Sequence, residues 1–309
     1  MRAEIANSPA PLRWSRNFVL ILPLLLALML GLFAVSATPQ AKQSIDTPSS
    51  TNKSATNLNA LVRDILQNEL RAQADDHSLW CYRKLTEKDG KQQLFAACQT
   101  NALEIDRLMA INGKPLTEQQ WKQENQRIER LLSNRSQLKK EKQQQREDGE
   151  QATLMLKMVP DAFLFQQESS DGNRITLHFT PNPAFRASGA SESVFHHMEG
   201  TLTLDVKQKR LVEISGRLNS EVKFAGGLLG HLDKGGTFYV NQQEVGPGRW
   251  EMTRMDVQMN GKALFFKTIS VRTKEINTDF HAVPPAASIQ QVAALTNESG
   301  DKNQMRMQR

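Results

Sequence analysis

The sequence predicts an α+β protein: a curved antiparallel β-meander, or half-barrel, with an N-terminal amphipathic helix and a helical insert. Three observations carry this prediction. Apolar residues recur at helical spacing from Leu58 to Leu70, and two-residue alternation sets in after Asp161 and recurs to about Lys274. The connections between these later runs are short and rich in turn residues, as at Gly246-Pro247-Gly248. Consecutive strands with short turns pair antiparallel and bury one face.

The chain of 309 residues opens with an export segment. Residues Phe18 to Val35 carry no charge and follow Arg13 and Arg16, which stay on the cytoplasmic side. Two readings compete. A cleaved signal peptide ends at Ala37 after the small-residue site Val35-Ser36-Ala37, and a retained signal-anchor uses the same apolar run to hold the chain in the inner membrane. Either places the body in the periplasm or otherwise outside the cytoplasm. Residues 38–56, rich in Ser, Thr, Asn, Gln and Pro, read as a disordered linker. Leu58, Leu61, Val62, Ile65, Leu66 and Leu70 then define one face of a helix over about Asn57 to Ala74.

A hairpin follows. Asp89-Gly90 is a two-residue type I′ signal, since both positions need positive φ. Pairing across that turn joins residues whose numbers sum to 179, as those of Cys81 and Cys98 do. Counting outward from Lys88 and Lys91 makes the cysteines a non-hydrogen-bonded pair. Such pairs bring Cα atoms to about 4.5 Å, within reach of a disulfide. An oxidising compartment favours the bond. A third strand is expected near Leu103 to Ile111, closed by the turn Asn112 to Pro115.

The helical insert spans about 117–158. Thr117 and Gln120 form a capping box, and Trp121, Ile128, Leu131, Leu132 and Leu138 give a narrow apolar stripe. Lys139 to Gln151 carry no large apolar side chain and read as a solvated helix end or a loop. Ala152 to Val159 read as a short apolar helix before Pro160. The β pattern then covers Ile175 to Phe179, Leu202 to Val206, Val212 to Leu218, Phe238 to Val240 and Trp250 to Met259. Asn260-Gly261 is a second type I′ signal that leads into a last strand from Ala263 to about Lys274. The half-barrel thus occupies 57–283, and 284–309 reads as a disordered tail.

No catalytic motif is present, and no catalytic, metal or cofactor residue is assigned. Gly230 to Thr237 nearly fits a phosphate-binding loop, but Gly236 stands where its lysine must be. His196 and His197 are adjacent, so on a strand they face opposite ways and cannot share a metal. The net charge of +6 is scattered, which gives no nucleic-acid site. One segment is marked for binding. Phe224 to Leu232 is glycine-rich and apolar, and Phe224, Leu228, Leu229 and Leu232 either cover a hydrophobic cavity or touch a membrane, or else plug the open end of the sheet.

With these elements in place the chain resembles the bacterial lipoprotein-carrier and outer-membrane lipoprotein-sorting half-barrel. The likeness covers roughly residues 57–282 and is carried by the Leu58–Leu70 helix and the strands from Glu199 to Lys274. The stretches ESVFHHMEGTLTLDVKQKRLVEISGRL and VKFAGGLLGHLDKGGTFYV are similar to a family of uncharacterised exported bacterial proteins of this architecture. The resemblance implies a non-catalytic envelope protein that binds a lipid, an acyl chain or a lipoprotein segment in the concave apolar face. The long Gln/Lys/Glu-rich insert departs from the carriers, as does the anchor if the segment is retained, and no binding residue is carried over. The alternative is a membrane-tethered structural or signalling module that meets a partner through the charged insert Trp121 to Glu150.

Overall fold

The computed structural model describes residues 51–101, 103–189, 191–263 and 267–297. The export segment Phe18–Val35, the site after Ala37 and most of the linker 38–56 lie outside the described residues. Helix α1 (Thr51–Asp75) starts six residues earlier than expected, inside the supposed linker. Residues 51–56 contain neither Gly nor Pro, so nothing in them stops the helix from extending. Its buried stripe is Val62, Ile65, Leu66 and Glu69. The three aliphatic side chains contribute about 1.5–3 kcal/mol each by burial. The glutamate in their row is a separate matter.

Strands β1 (Trp80–Lys88) and β2 (Lys91–Gln99) pair in the expected register, with Lys88 opposite Lys91 and Cys81 opposite Cys98. Asp89 and Gly90 both have positive φ, at 50° and 77°. The cysteines are bonded, with Cα atoms 4.0 Å apart across a separation of 17 residues. A cross-link of that loop length stabilises by about 3 kcal/mol. The double variant Cys81→Ala/Cys98→Ala is therefore expected to lower Tm by roughly 6–12 °C in a calorimetric scan. An unchanged Tm would show that the cross-link adds nothing to the hairpin.

Strand β3 (Glu104–Ile111) turns at Asn112-Gly113 into the two-residue β4 (Lys114–Pro115). The capping box at Thr117 is formed, and α2 (Glu118–Ser133) follows it. The apolar stripe does not continue unbroken to Leu138. The chain kinks at Asn134, whose Oδ1 accepts from the Gln137 N–H at 3.0 Å and so caps α3 (Arg135–Ala162). Helix α3 is continuous through the polar run 139–151 and past Pro160. At its end, Asn59 of α1 donates to the carbonyls of Pro160 and Phe163, at 2.7 and 2.9 Å. The insert thus ends at Ala162 rather than at 158.

The remaining strands are β5 (Phe163–Asp171), β6 (Arg174–Pro181), β7 (Met198–Asp205), β8 (Arg210–Leu218), β9 (Val222–Phe224), β10 (Gly230–Leu232), β11 (Thr237–Gly246), β12 (Arg249–Ala263) and β13 (Lys267–Ala282). All pairings are antiparallel. The main path runs β4-β3-β2-β1-β13-β12-β11-β8-β7-β6-β5, and the β9–β10 hairpin is attached to β12. The first long strand therefore pairs with the last, and β4 and β5 remain free edges, so the sheet is an open half-barrel. Both edges resist strand addition: β4 is two residues long and holds Pro115, and the far half of β5 is exposed and polar.

The expected hairpin at Asn260-Gly261 is overturned. Both residues are extended within β12, and Ala263 pairs with Lys267, Val257 with Thr273. Gly261 is needed for another reason. It faces Leu232 of β10, and a Cβ there would lie 2.2 Å from the His231 carbonyl oxygen. The last strand accordingly runs to Ala282, eight residues beyond the expected end.

Three apolar clusters form, the smallest around Trp80, Tyr82 and Ala97. The concave face buries the main core, in which Val62, Ile65 and Leu66 of α1 and Met155, Leu156 and Val159 of α3 cover Phe163, Leu177, Leu202, Val240 and Met255. On the other face, around the disulfide, Ile128 and Leu131 of α2 pack with Ile105, Val283, Val292 and Ala293. The last two belong to a helix over residues 289–297. This corrects the expectation of a disordered tail beyond 284: a stripe of Ile289, Val292, Ala293 and Leu295 is enough to dock a short helix once a sheet face is there to receive it.

Candidate functional site

A cavity of ≈ 60 Å³ lies between the concave face and α3. Its cover is Ala152, Leu156 and Val159 of α3, and Phe195 and Met198 close one side. Its floor comes from a row that crosses four strands. Phe179 pairs with Gly200, Gly200 with Gly216, and Gly216 with Phe238. The two glycines leave room for the flanking rings. A Cβ on Gly216 would sit 2.6 Å from the Phe238 ring, and one on Gly200 2.9 Å from that of Phe179. Every side chain in the lining is apolar.

The Phe224–Leu232 segment lies elsewhere on the same core. Phe224 and Leu232 are buried and Leu229 packs against them, while Leu228 is 61% exposed at the hairpin tip. None of the four lines the cavity. Among the described residues no helix is long and apolar enough to cross a membrane. His196 and His197 sit on a single 3-10 turn (Glu192–His197), not on a strand. His197 Nδ1 lies 2.7 Å from Ser220 Oγ, and His196 lies against the Phe185 ring.

The strongest electrostatics are found away from the cavity, in a cluster that composition and motif searches do not reveal. Lys84 of β1, 3% exposed, reaches Glu104 at 2.6 Å and Asp106 at 2.5 Å on β3. Tyr82 donates to Glu104. On β13, Glu275 accepts from Asn277 Nδ2 at 2.9 Å, and Asn277 also donates to the Met252 carbonyl at 3.1 Å. Burial pulls the Lys84 ammonium down, but Asp106, Glu104 and Glu275 outweigh it and hold it above its ordinary value. Burial pushes Glu275 up to about 7, with Glu104 and Asp106 adding to the push and Lys84 opposing it. Burial raises Glu104 and Tyr82 as well. Perturbed carboxylates often mark active sites. Lys84, Glu104 and Glu275 are buried, Asp106 is 18% exposed, and none of the four lines the cavity.

No family model matches the chain, and no curated protein matches it. Among solved structures, a DUF1329 family protein from Desulfovibrio piger aligns with 75% of this chain and 95% of its own, at 8% identity and a TM-score of 0.25. That overlap is too slight to carry an argument about function. Fold and site together define an open antiparallel half-barrel whose apolar face is covered by its own helices, with a small apolar cavity left beneath one of them.

Proposed function

We propose that this chain is a non-catalytic binding protein of the cell envelope whose concave face takes a single alkyl chain, from a lipid or from the acyl group of a lipoprotein segment. The observation that supports this reading is the wholly apolar lining of the cavity beneath α3. Sites for ligands with polar recognition groups place a few polar side chains among apolar ones. This one has none, so it suits a chain without a head group and leaves any head group to solvent. Its ≈ 60 Å³ is less than half of the roughly 150 Å³ that admits benzene in an engineered cavity. A few methylenes fit as it stands, and a longer chain needs α3 to shift. Met155, Met198 and Met255 in the same core are the unbranched side chains best able to follow such a shift. The envelope placement is supported by the uncharged run Phe18–Val35 after Arg13 and Arg16, a pattern that favours a periplasmic or otherwise extracytoplasmic body, anchored in the inner membrane if the segment is retained.

The test is titration of delipidated protein with a fluorescent fatty acid. Saturable binding is expected, weakened at least tenfold, or about 1.4 kcal/mol, by either cavity-filling variant, Val159→Trp or Ile214→Phe. Both variants should keep a cooperative melt. No saturable binding by the wild type, or equal binding by both filled variants, would remove the cavity from the function.

A further inference from the structure

The β9–β10 hairpin stands at the end of the sheet where β12 gives way to β13, and its tip points past Ala263. Lys223 pairs with His231, His231 with Lys262 and Lys262 with Thr268, which makes one row across four neighbouring strands. Residues paired in this way share a face and follow one another about 4.8 Å apart. The flanking pairs bury Val222 and Leu232 on one side and Phe224 and Ala263 on the other, so the Lys223 row faces outward. Lys223, Lys262 and Thr268 are exposed. Beyond the row the chain reverses through Ala225, Gly226 and Gly227, at φ 51°, 66° and 95°. The N–H groups of Leu228 and Leu229 donate to the carbonyls of Ala225 and Phe224, at 3.1 and 3.2 Å. This turn sends Leu229 against the core and holds Leu228 outward, 61% exposed.

A single exposed leucine is ordinary on a protein surface. This one stands at the point of a hairpin with a cationic row behind it, at most about 10 Å back at strand spacing. The carboxylates that touch the row lie on the side away from the tip. Glu221 reaches Lys223 at 3.2 Å and His231 at 3.8 Å, and Asp233 reaches His231 at 3.3 Å. Such exposed pairs hold weakly and yield to a stronger anion. The sequence between the paired Ala263 and Lys267 is Leu264-Phe265-Phe266, with no charge. Segments that lie in a membrane surface set an apolar side about 5–10 Å deep and lysines at the head groups. We propose that the β9–β10 tip is a membrane contact, in which Leu228 enters the surface of an anionic phospholipid bilayer while Lys223 and Lys262 meet its phosphates. None of these residues lines the cavity beneath α3, and the inference holds whatever that cavity binds.

The experiment uses the full chain in vesicles of phosphatidylethanolamine and phosphatidylglycerol that contain a nitroxide-labelled lipid. A bimane fluorophore is placed in the row through Thr268→Cys, or at the opposite end of the sheet, in the exposed β7–β8 turn, through Lys207→Cys. Any tether through the N-terminal run is common to both proteins, so only the orientation of the body separates them. The nitroxide should quench the Thr268 position strongly and the Lys207 position little. Lys223→Gln/Lys262→Gln should lower the docked-to-free ratio on the order of twentyfold, since each lysine at an anionic surface is worth about fivefold. Leu228→Asp should abolish the quenching, and phosphatidylethanolamine alone should weaken it as the lysine variant does. Equal quenching at both positions, none at Thr268, or quenching that survives Leu228→Asp or the paired lysine substitutions would overturn the proposal.

Discussion

Glu69→Ala is expected to cost about 3–5 kcal/mol, the usual effect of stripping one partner from a buried ion pair. Glu69 is fully buried in the apolar stripe of α1. Its carboxylate accepts from Arg210 Nε at 2.7 Å and Nη2 at 3.1 Å, from the Leu211 N–H at 3.2 Å, from Gln242 at 3.3 Å and from Gln73 at 2.9 Å. One side chain therefore ties α1 to β8 and β11. Without it, the Arg210 guanidinium stays buried beside the Trp250 ring and loses the carboxylate it is bonded to. Much of the cost belongs to that orphaned charge rather than to the worth of the pair. The double variant Glu69→Leu/Arg210→Met should consequently lose far less than the two single variants summed, because neither charge remains. Urea unfolding at constant m separates these outcomes. A Glu69→Ala loss below about 1 kcal/mol, or strict additivity in the double variant, would show that the Glu69–Arg210 pair does not hold α1 in place.

Glu69 also shows where reading the sequence stops. The stripe Leu58, Leu61, Val62, Ile65, Leu66, Leu70 is legible from spacing, and Glu69 falls inside it, three residues after Leu66. A carboxylate on an apolar face signals a buried partner, yet nothing in spacing names Arg210, 141 residues away. Local rules did well where the determinant is local. The Asp89-Gly90 turn sets a register that brings Cys81 to Cys98, and the Thr117–Gln120 box starts α2 where it should. They failed where one residue type serves two ends. Gly261 satisfies a type I′ turn on paper, but here it admits the β10 backbone against β12, a requirement that exists only once the hairpin has docked. Strand β5 went unread because Gln166 to Asp171 carry no apolar residue to alternate. The cavity was out of reach for the same reason as Arg210: Phe179, Gly200, Gly216 and Phe238 form a row only through the pairing of four strands.

The ionic cluster supplies the second large expected effect. Lys84→Met should cost about 3–5 kcal/mol near pH 8, because it strips buried Glu104 and part-exposed Asp106 of the ammonium they are bonded to and removes the positive charge that lowers the cost of ionising Glu275. Methionine keeps the length and the apolar stem of lysine, so packing against Phe95 is largely retained and the loss reports charge. Sign and pH then separate this from an ordinary core defect. Glu104 and Glu275 are already raised above their ordinary values, and removing the ammonium raises them further. The folded variant therefore binds more protons than the unfolded chain. The contribution of these two glutamates to stability is fully present below pH 4.5, the ordinary glutamate value, and is lost as pH rises through 7. The destabilisation relative to wild type should accordingly shrink toward pH 5, whereas a cavity or a strained rotamer costs the same at both ends of the range. Adding Glu275→Gln to Lys84→Met should recover part of the loss at pH 8 and little at pH 5, since only at the higher pH is the charge it removes present. A pH-independent loss, or no recovery in the double variant, would mean that Lys84 matters for its packing and that the three carboxylates do not act as one group.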